Sequence, residues 1–319
     1  VEGEGHGIPV AIFSDPRNGA ASDMIFEAGG EGTISRWPSF VGIGATADPS
    51  VAYEFGRCTS LEYRALGVTT ALSPQADVCG EPRWWRISGT FGESYEMAAD
   101  MVRGYIDGMQ TSPSDCSIDG SWGLQSVNAM VKHWVGCDQE GGREGHFAHG
   151  EYSVYPAGRY RDLEKPFVEG AFKLEQGTGC VAGVMTNYSV PWGQDPSGEN
   201  VACSFSEYVV GERLRKANGF DGLVCTDWDV CFDCTEMGAW GKGKPWGVEH
   251  LSVSERHLKV LEAGCDMFGG ENFSQPIVDA YRLWSDKYGE ESARERFEQS
   301  ATRILVTMFQ TGIFENPYL

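Results

Sequence analysis

The chain has 319 residues, of which 41% are hydrophobic and 22% charged, a globular composition that suits one large α/β barrel or two smaller domains. Its formal net charge of −21 repels the phosphate backbone of nucleic acid, so we expect no nucleic-acid partner. No apolar run reaches the length that crosses a bilayer, so we expect no membrane partner either.

One pattern repeats along the chain: a short apolar run, a polar or glycine-rich loop and an amphipathic helix. Continuous apolar runs are typical of strands in a parallel sheet that is covered on both faces. Six strands are predicted, in chain order, at Ile8–Phe13, Val68–Leu72, Val131–Val135, Gly183–Asn187, Gly222–Thr226 and Gly264–Phe268. Alternating strands and helices predict either a barrel or a doubly wound sheet. A full barrel has eight strands, and no G-x-G-x-x-G follows the first run, which disfavours a dinucleotide fold.

Two helices have recognisable ends. In the helix before the fifth run, Ser204 and Glu207 fit a capping box, and the pair Asn218-Gly219 fits a left-handed stop. A long final helix is predicted over about residues 292–310, ending at Gly312, and the sequence GIFENPYL after it is expected to leave the domain.

The ten cysteines are too sparse for a disulfide scaffold. Cys231 and Cys234 form a C-x-x-C, but no second pair and no histidines at ligand spacing accompany it, so we interpret both as structural or incidental thiols. His146 and His149, close to Glu151, could suggest a metal site, although a flexible loop is the better interpretation. Cysteine usage leaves the cellular compartment open.

Polar side chains end the apolar runs, and the carboxyl ends of parallel strands share one edge of a sheet or one mouth of a barrel. These residues are Asp15, Lys132, His133, Tyr188, Asp227, Trp228, Asp229 and Asp266, with Arg83 and Arg86 in the loop EPRWWRISGTFGES. Carboxylates accept hydroxyl protons, cations fix hydroxyl oxygens, and aromatic rings cover the apolar side of a sugar. The set therefore favours a sugar site, in which an oriented, ionised carboxylate can attack an anomeric carbon.

Several of these residues have another interpretation on their own. Asp227 could cap a helix or form a salt bridge, and Lys132 could be a Schiff-base lysine of a barrel aldolase. Arg86 could form a structural ion pair, although Arg83 is favoured for that role. Tyr188 could be ordinary core, and the tryptophans of the loop are more often packing residues than sugar platforms.

Five motifs, in order, give the chain its resemblance to the N-terminal, barrel-type domain of glycoside hydrolase family 3, which includes many β-glucosidases. GFDGLVCTDWDV resembles the nucleophile motif, and VKHWVG resembles the Lys-His motif. PRWWRISGTFGES, GIPVAIFSDPRNG and VMTNY resemble the arginine segment, the segment of the first sugar ligand and the tyrosine strand. The resemblance covers nearly the whole chain.

The resemblance implies a role for each matched residue. Asp227 is the expected nucleophile, and the expected sugar-binding residues are Asp15, Arg86, Lys132, His133, Tyr188 and Trp228. Two positions depart from the family pattern: Trp85 replaces a glycine beside Arg86, and Asn18 replaces a histidine. The loop after His133 also lacks the acid/base histidine of the hexosaminidase branch.

The resemblance further implies one TIM-type (β/α)8-like barrel domain over residues 1–319, with an incomplete or missing first strand and an exit segment from about residue 312. In two-domain members the acid/base glutamate comes from a following sandwich domain, which we expect this chain not to contain. Candidates within the chain are Glu140, Glu144, Glu151, Glu236 and Glu249, and none of them is favoured.

The expected function is that of a retaining, exo-acting glycosidase that resembles the β-glucosidases, acts on a β-glucoside or oligosaccharide, and requires neither metal nor organic cofactor. The alternative is a sugar-binding domain without turnover of its own, if the acid/base is absent.

Overall fold

The computed structural model of the protein describes residues 7–16, 18, 34–136, 145–146, 150–234 and 243–316. Its strands are β1 (Phe13–Ser14), β2 (Thr70–Ala71), β3 (Asn128–Trp134), β4 (Tyr152–Ser153), β5 (Gly183–Thr186), β6 (Val190–Pro191), β7 (Leu223–Trp228) and β8 (Met267–Gly269). Six of them form one sheet in the order β1-β2-β3-β5-β7-β8, while β4 pairs with β6. All of these pairs are parallel.

The α-helices are α1 (Phe40–Gly44), α2 (Pro49–Ala65), α3 (Tyr95–Gln110), α4 (Val253–Ala263), α5 (Gln275–Tyr288) and α6 (Glu290–Gln310). Two further helices, Pro166–Ala171 and Glu207–Ala217, have π-helical winding. Short 3₁₀ segments occupy Ile87–Gly89, Pro156–Glu164 and Cys203–Phe205. None of the helices in the described ranges is long and apolar enough to span a membrane.

The architecture is an α/β half-barrel. Each strand of the main sheet pairs with the next main-sheet strand along the chain, and the sheet curls with helices around it. This sequential order differs from a doubly wound sheet, in which the strand order reverses at a switch point. The prediction of a TIM-like barrel with an incomplete first strand is confirmed. Pairing of β1 is limited to two residues, and Ile8, Val10 and Ile12 before it are exposed.

Helices α2 and α3 approach each other closely because glycines lie at their contact. A Cβ atom at Gly56 would lie 2.1 Å from the carbonyl oxygen of Tyr105, and one at Gly108 would lie 2.0 Å from that of Tyr53. Real Cβ atoms do not approach an oxygen so closely, so larger residues here would push the two helices apart. This contact holds α2 against α3, which in turn packs against β3.

The helix before β7 begins later than the sequence predicts. The Ser206 hydroxyl, and not that of Ser204, accepts the N–H of Val209 as the N-terminal cap. Ser204 instead hydrogen-bonds through its hydroxyl to Thr186 on β5, which a helix propensity argument could not reveal. The predicted stop is present, since Gly219 has a φ of 66°. The final helix begins slightly earlier than predicted, at residue 290.

Asp266 lies at the opposite end of the sheet from the other strand-end residues, because it precedes β8. Its carboxylate is fully buried and accepts hydrogen bonds from Arg215 at 2.6 Å, Arg303 at 3.0 Å and the backbone N–H of Val224 at 3.0 Å. Its inclusion among the residues at the mouth is therefore wrong. Asp266 ties α6 and the helix before β7 to the amino end of the sheet.

Candidate active site

The seven predicted site residues all lie at or just beyond the carboxyl ends of the main-sheet strands. Asp15 follows β1, Arg86 lies in the segment after β2, Lys132 and His133 end β3, Tyr188 follows β5, and Asp227 and Trp228 end β7. The parallel register puts these ends at one edge of the sheet, so residues far apart in the sequence come together.

Asp227 offers a free carboxylate oxygen in a buried setting. Its residue is 6% exposed, and Oδ1 accepts the backbone N–H of Trp228 at 2.7 Å. Oδ2 has no hydrogen-bond partner among the described residues and lies 3.7 Å from Nε2 of His133. Buried polar atoms are nearly always paired, so an orphaned oxygen of this kind marks a place for a ligand.

Asp77 holds the ring of His133. Its Oδ2 lies 2.7 Å from Nδ1 of His133, and its Oδ1 accepts the backbone N–H of His133 at 3.2 Å. Nδ1 is the donor to this carboxylate, which turns Nε2 toward Asp227. Sequence reasoning missed Asp77, although it is the first acidic residue after the second apolar run and could have been found as such.

Lys132 and Asp15 join the ends of β3 and β1. Nζ of Lys132 lies 2.8 Å from Oδ1 of Asp15, with the lysine side chain 4% and the aspartate side chain 27% exposed. The hydroxyl of Tyr63 donates to the backbone oxygen of Asp15 at 2.8 Å. The pair therefore presents one cation and one partly open carboxylate at fixed positions.

Arg86 is connected to the other site residues through His146, which the sequence analysis interprets as part of a flexible loop. Nη1 of Arg86 is hydrogen-bonded to Nε2 of His146, whose buried ring lies 5.3 Å from those of both His133 and Tyr188. Trp85, the departure from the family pattern, lies 5.9 Å edge-on to the same ring. A histidine inside a glycine-rich loop gives no sequence indication that it folds into the site.

Tyr188 and Trp228 form the aromatic side of the site. The backbone N–H of Trp228 donates to the Tyr188 hydroxyl at 3.0 Å, and the ammonium of Lys244 lies 4.5 Å from the centre of the tyrosine ring. The indole of Trp228, 36% exposed, lies so close to Gly270 that a Cβ there would be 2.6 Å from it. Lys244, buried in a proline- and glycine-rich segment, was also missed from the sequence.

The titratable groups are shifted by burial and by one another. Burial raises the pKa of Tyr188 well above its usual value, and the Asp227 carboxylate adds to the rise, so the phenol stays protonated. Burial also lowers the pKa of His146 well below its usual value, helped by the charge of Arg86, so the ring is neutral near pH 7. For Asp77 burial acts upward, but the charge and hydrogen bonds of His133 bring its pKa below the ordinary range.

Ligand atoms of His133, His146 and Asp227 lie within 4.8 Å of one another, a spacing that a metal ion can bridge. Arg86 is hydrogen-bonded to His146, and Lys132 adds a second positive charge close by. Like charges disfavour a bound cation. The expectation that this site works without metal or cofactor stays a prediction.

The acid/base of a hydrolase is not assigned by these contacts. Three of the five candidate glutamates lie outside the described residues: Glu140, Glu144 and Glu236. Glu151 is hydrogen-bonded to Tyr152, and Glu249 accepts the backbone N–H of Gly247 at 3.1 Å. His149 also lies outside the described residues.

The profile of the glycosyl hydrolase family 3 N-terminal domain matches residues 2–306. The chain belongs to this family. Family 3 membership confirms the resemblance that the five motifs indicate. It covers nearly the whole chain, including every residue of the cluster around Asp227.

Named relatives support the same family. A periplasmic β-glucosidase/β-xylosidase of Dickeya chrysanthemi is 37% identical over 98% of this chain, and β-glucosidase C of Emericella nidulans is 35% identical over 98% of it. The family 3 chain spans 47% of the length of each of these two relatives, about half. The β-glucosidase of Listeria innocua has a similar fold, with a TM-score of 0.73 at 19% identity over 99% of this chain and 37% of that one.

Proposed function

We propose that this family 3 chain carries the nucleophile and the sugar subsite of a retaining, exo-acting glycoside hydrolase that resembles the β-glucosidases. One observation carries the proposal: the buried Oδ2 of Asp227 lies 3.7 Å from Nε2 of His133 and has no hydrogen-bond partner in the described part of the chain. The names of the relatives, β-glucosidase and β-xylosidase, support a terminal β-linked sugar as substrate.

In the proposed reaction Oδ2 of Asp227 attacks the anomeric carbon of the terminal sugar. The bond to the leaving oxygen breaks as an acid/base group protonates that oxygen, and a glycosyl-enzyme forms on Asp227. Water then attacks the same carbon, the acid/base takes up its proton, and the sugar leaves with its original anomeric configuration. The N–H of Trp228, which donates to Oδ1, keeps the carboxylate oriented for the attack.

The remaining residues suit the binding of one sugar ring. Lys132 and His133 donate to hydroxyl oxygens, while Asp15 accepts hydroxyl protons from its partly open position. Arg86 has a buried Nε without a partner among the described residues, which leaves a donor for a substrate oxygen. The half-open indole of Trp228 provides an apolar face for the sugar.

We assign no acid/base group to the described residues of this chain. We propose that residues 1–319 form one barrel domain, with an exit from about residue 312, and that a second domain or chain supplies the acid/base. The chain's coverage of about half the length of its relatives supports this. The alternative stays open, namely that the chain binds a sugar without turning it over.

The nucleophile is tested by a matched pair of substitutions, with hydrolysis of an aryl β-glucoside as the assay. Asp227→Asn removes the attacking charge and is expected to lower kcat/KM by at least about 10³-fold while sugar binding persists. Asp229→Asn makes the same chemical change two residues away, and asparagine tolerates its φ of 55°. Near-normal activity of Asp227→Asn, or an equal loss in both variants, contradicts the assignment.

A further inference from the structure

A second cluster of ligand atoms lies near the carboxyl end of β7, the strand that contains Asp227. Cys231 lies just after β7, His257 lies on α4, and Glu271 lies two residues beyond the end of β8. The Sγ, imidazole nitrogen and carboxylate oxygen of these residues lie within 4.8 Å of one another. All three side chains are buried: Cys231 and His257 are fully so, and the side chain of Glu271 is 1% exposed.

The ring of His257 is oriented as a metal ligand is. Its Nδ1 lies 2.7 Å from the backbone oxygen of Val253, so Nδ1 carries the hydrogen and donates it. Its Nε2 then faces Oε2 of Glu271 at 2.6 Å. The ring of Phe268, 4.6 Å away, packs on the imidazole. Metal-binding histidines commonly donate the N–H of their second ring nitrogen to a backbone carbonyl in this way.

Glu271 contributes a buried carboxylate to the cluster. Its Oε1 is buried and has no hydrogen-bond partner among the described residues. A buried histidine–glutamate ion pair would account for Nε2 and Oε2, and the thiol of Cys231 is hydrogen-bonded to the Glu271 carboxylate, but Oε1 keeps unused hydrogen-bonding capacity. The nearby Arg256 does not fill that gap, since its donors reach Asp233 and the backbone oxygens of Cys231, Val248 and Glu249.

We propose that Cys231, His257 and Glu271 bind one divalent cation of the zinc class. A thiolate, an imidazole and a carboxylate form a mixed donor set that suits Zn²⁺, with water as the fourth ligand. Ligand bonds of about 2.0–2.3 Å require the carboxylate to retreat from the imidazole by less than about 1 Å. On binding, the thiol releases its proton to solvent.

The ion would join three elements, one of which directly follows the strand of the proposed nucleophile. Cys231 lies four residues after Asp227, so the ion would fasten the loop after β7 to the end of β8 and to α4. This also changes the interpretation of the C-x-x-C: Cys231 is a ligand, whereas the exposed Cys234 is not. The inference is independent of the sugar site and survives if Asp227 has another role.

The test uses Co²⁺ added to the metal-stripped full chain, because a cobalt–thiolate bond gives a near-ultraviolet charge-transfer band. We expect the band to saturate at one equivalent and to vanish when Zn²⁺ is added. Cys231→Ser is expected to abolish it, and Cys234→Ser is the matched control that keeps it. Glu271→Gln is expected to weaken Co²⁺ binding at least about tenfold with an unchanged circular dichroism spectrum.

Absence of the band in the folded wild-type chain would overturn the proposal. So would a band that survives Cys231→Ser, or one that is lost in Cys234→Ser, because the exposed thiol would then be the ligand. Should Cys231→Ser fail to fold, the affinity of Glu271→Gln decides: unchanged Co²⁺ binding in that variant contradicts the site.

Discussion

At the scale of single residues, the imidazole of His133 lies between two carboxylates of different kinds. Asp77 is closed off from solvent and hydrogen-bonded twice to His133, whereas Asp227 keeps one oxygen unpaired. Burial raises the pKa of Asp77, but the charge and hydrogen bonds of His133 bring it below its ordinary value, so the carboxylate is ionised near pH 7. Asp77 therefore acts as a positioning residue for the side chain that faces the proposed nucleophile.

Asp77→Asn tests this positioning role. The variant keeps the shape of the side chain but loses the charge that holds Nδ1 of His133. We expect kcat/KM for an aryl β-glucoside to fall about 10- to 100-fold, with a higher KM because a sugar-binding group is released. Asp100→Asn, on an exposed aspartate of α3, is the control. An unchanged KM in Asp77→Asn would show that His133 does not depend on it.

The same variant has an expected pH signature. The pKa of Asp77 is lower when folded than its ordinary 3.8, so its stabilisation is present above about pH 4 and is lost as pH falls through the lower folded pKa. Asparagine removes this contribution. The loss of thermal stability between about pH 5 and pH 3 should therefore be smaller in Asp77→Asn than in the wild-type chain, and an equal loss speaks against a charged Asp77.

The sequence predicts correctly where some of these residues lie in the fold, but not where others do. The position of Asp227 at the carboxyl end of its strand could be predicted from the apolar run before it, whereas Asp266, beside an equally apolar run, lies at the amino end of its strand. Only the register of β7 and β8 decides that Asp266 precedes its strand and meets Arg215 and Arg303 instead of a ligand. His146 was missed for another reason: its burial arises from tertiary contacts with Arg86, which local sequence does not encode.

At the scale of elements, the end of β8 shapes the aromatic side of the site. Gly270 has a φ of 72°, and its missing side chain makes room for the indole of Trp228. Glycine is needed here for two separate reasons, backbone conformation and close approach. The position of Trp228 thus depends on a neighbouring strand as much as on its own.

Gly270→Ala separates the two reasons when compared with Gly219→Ala. Gly219 has a similar φ of 66°, but nothing lies within 4 Å of a Cβ placed there. Both variants should lose about 1 kcal/mol of stability from the positive φ, but only Gly270→Ala should displace Trp228 and raise KM for a β-glucoside. Thermal unfolding and steady-state kinetics measure the two effects. Equal KM values in both variants would show that Trp228 does not contact the sugar.

Asp266→Asn tests how the outer helices are fastened to the sheet. The substitution removes the carboxylate charge that pairs with Arg215 and Arg303, and Arg303 keeps Asp221 as a partner whereas Arg215 keeps only backbone oxygens among its described hydrogen bonds. We expect a loss of about 3 kcal/mol in the free energy of unfolding. Asp279→Asn, on the exposed face of α5, breaks a surface ion pair and should cost at most about 1 kcal/mol. Similar denaturant midpoints for the two variants would contradict this account.

Element boundaries were predicted less well than element types. The six strands were placed correctly in order, because each apolar run needs a covered sheet. The predicted and observed ends of the strands differ because backbone pairing, not hydrophobicity, decides where a strand begins. The first apolar run, for example, pairs only at Phe13 and Ser14. The N-terminal cap of the helix before β7 is Ser206 and not the predicted Ser204, because the hydroxyl of Ser204 is hydrogen-bonded to that of Thr186.

At the scale of the whole molecule, the parallel strand order of the half-barrel places the predicted site residues at one edge of the sheet. The barrel could be predicted from strand order and five motifs, which require no knowledge of side-chain contacts. The acid/base could not, because no strand end or motif of this chain identifies it. We therefore propose that a second domain or chain supplies the acid/base.

The proposal that a further region supplies the acid/base predicts a strong dependence on the leaving group. A dinitrophenyl β-glucoside has a leaving group that needs little protonation, whereas a methyl β-glucoside needs a proton donor. The isolated chain is therefore expected to release dinitrophenol in a burst and to leave the methyl glucoside almost uncleaved. Stopped-flow absorbance and product analysis measure both, and comparable rates on the two substrates would show that this chain holds its own acid/base.

The most direct measurement is mass spectrometry of the chain after incubation with a dinitrophenyl β-glucoside fluorinated at the second carbon, a substrate that slows release of the glycosyl-enzyme. We predict a mass increase of one fluoroglucosyl unit, located by peptide mapping on Asp227 and absent from Asp227→Asn. An unmodified chain that still binds glucose reversibly, or a label on any other residue, would contradict the assignment of Asp227 as the nucleophile.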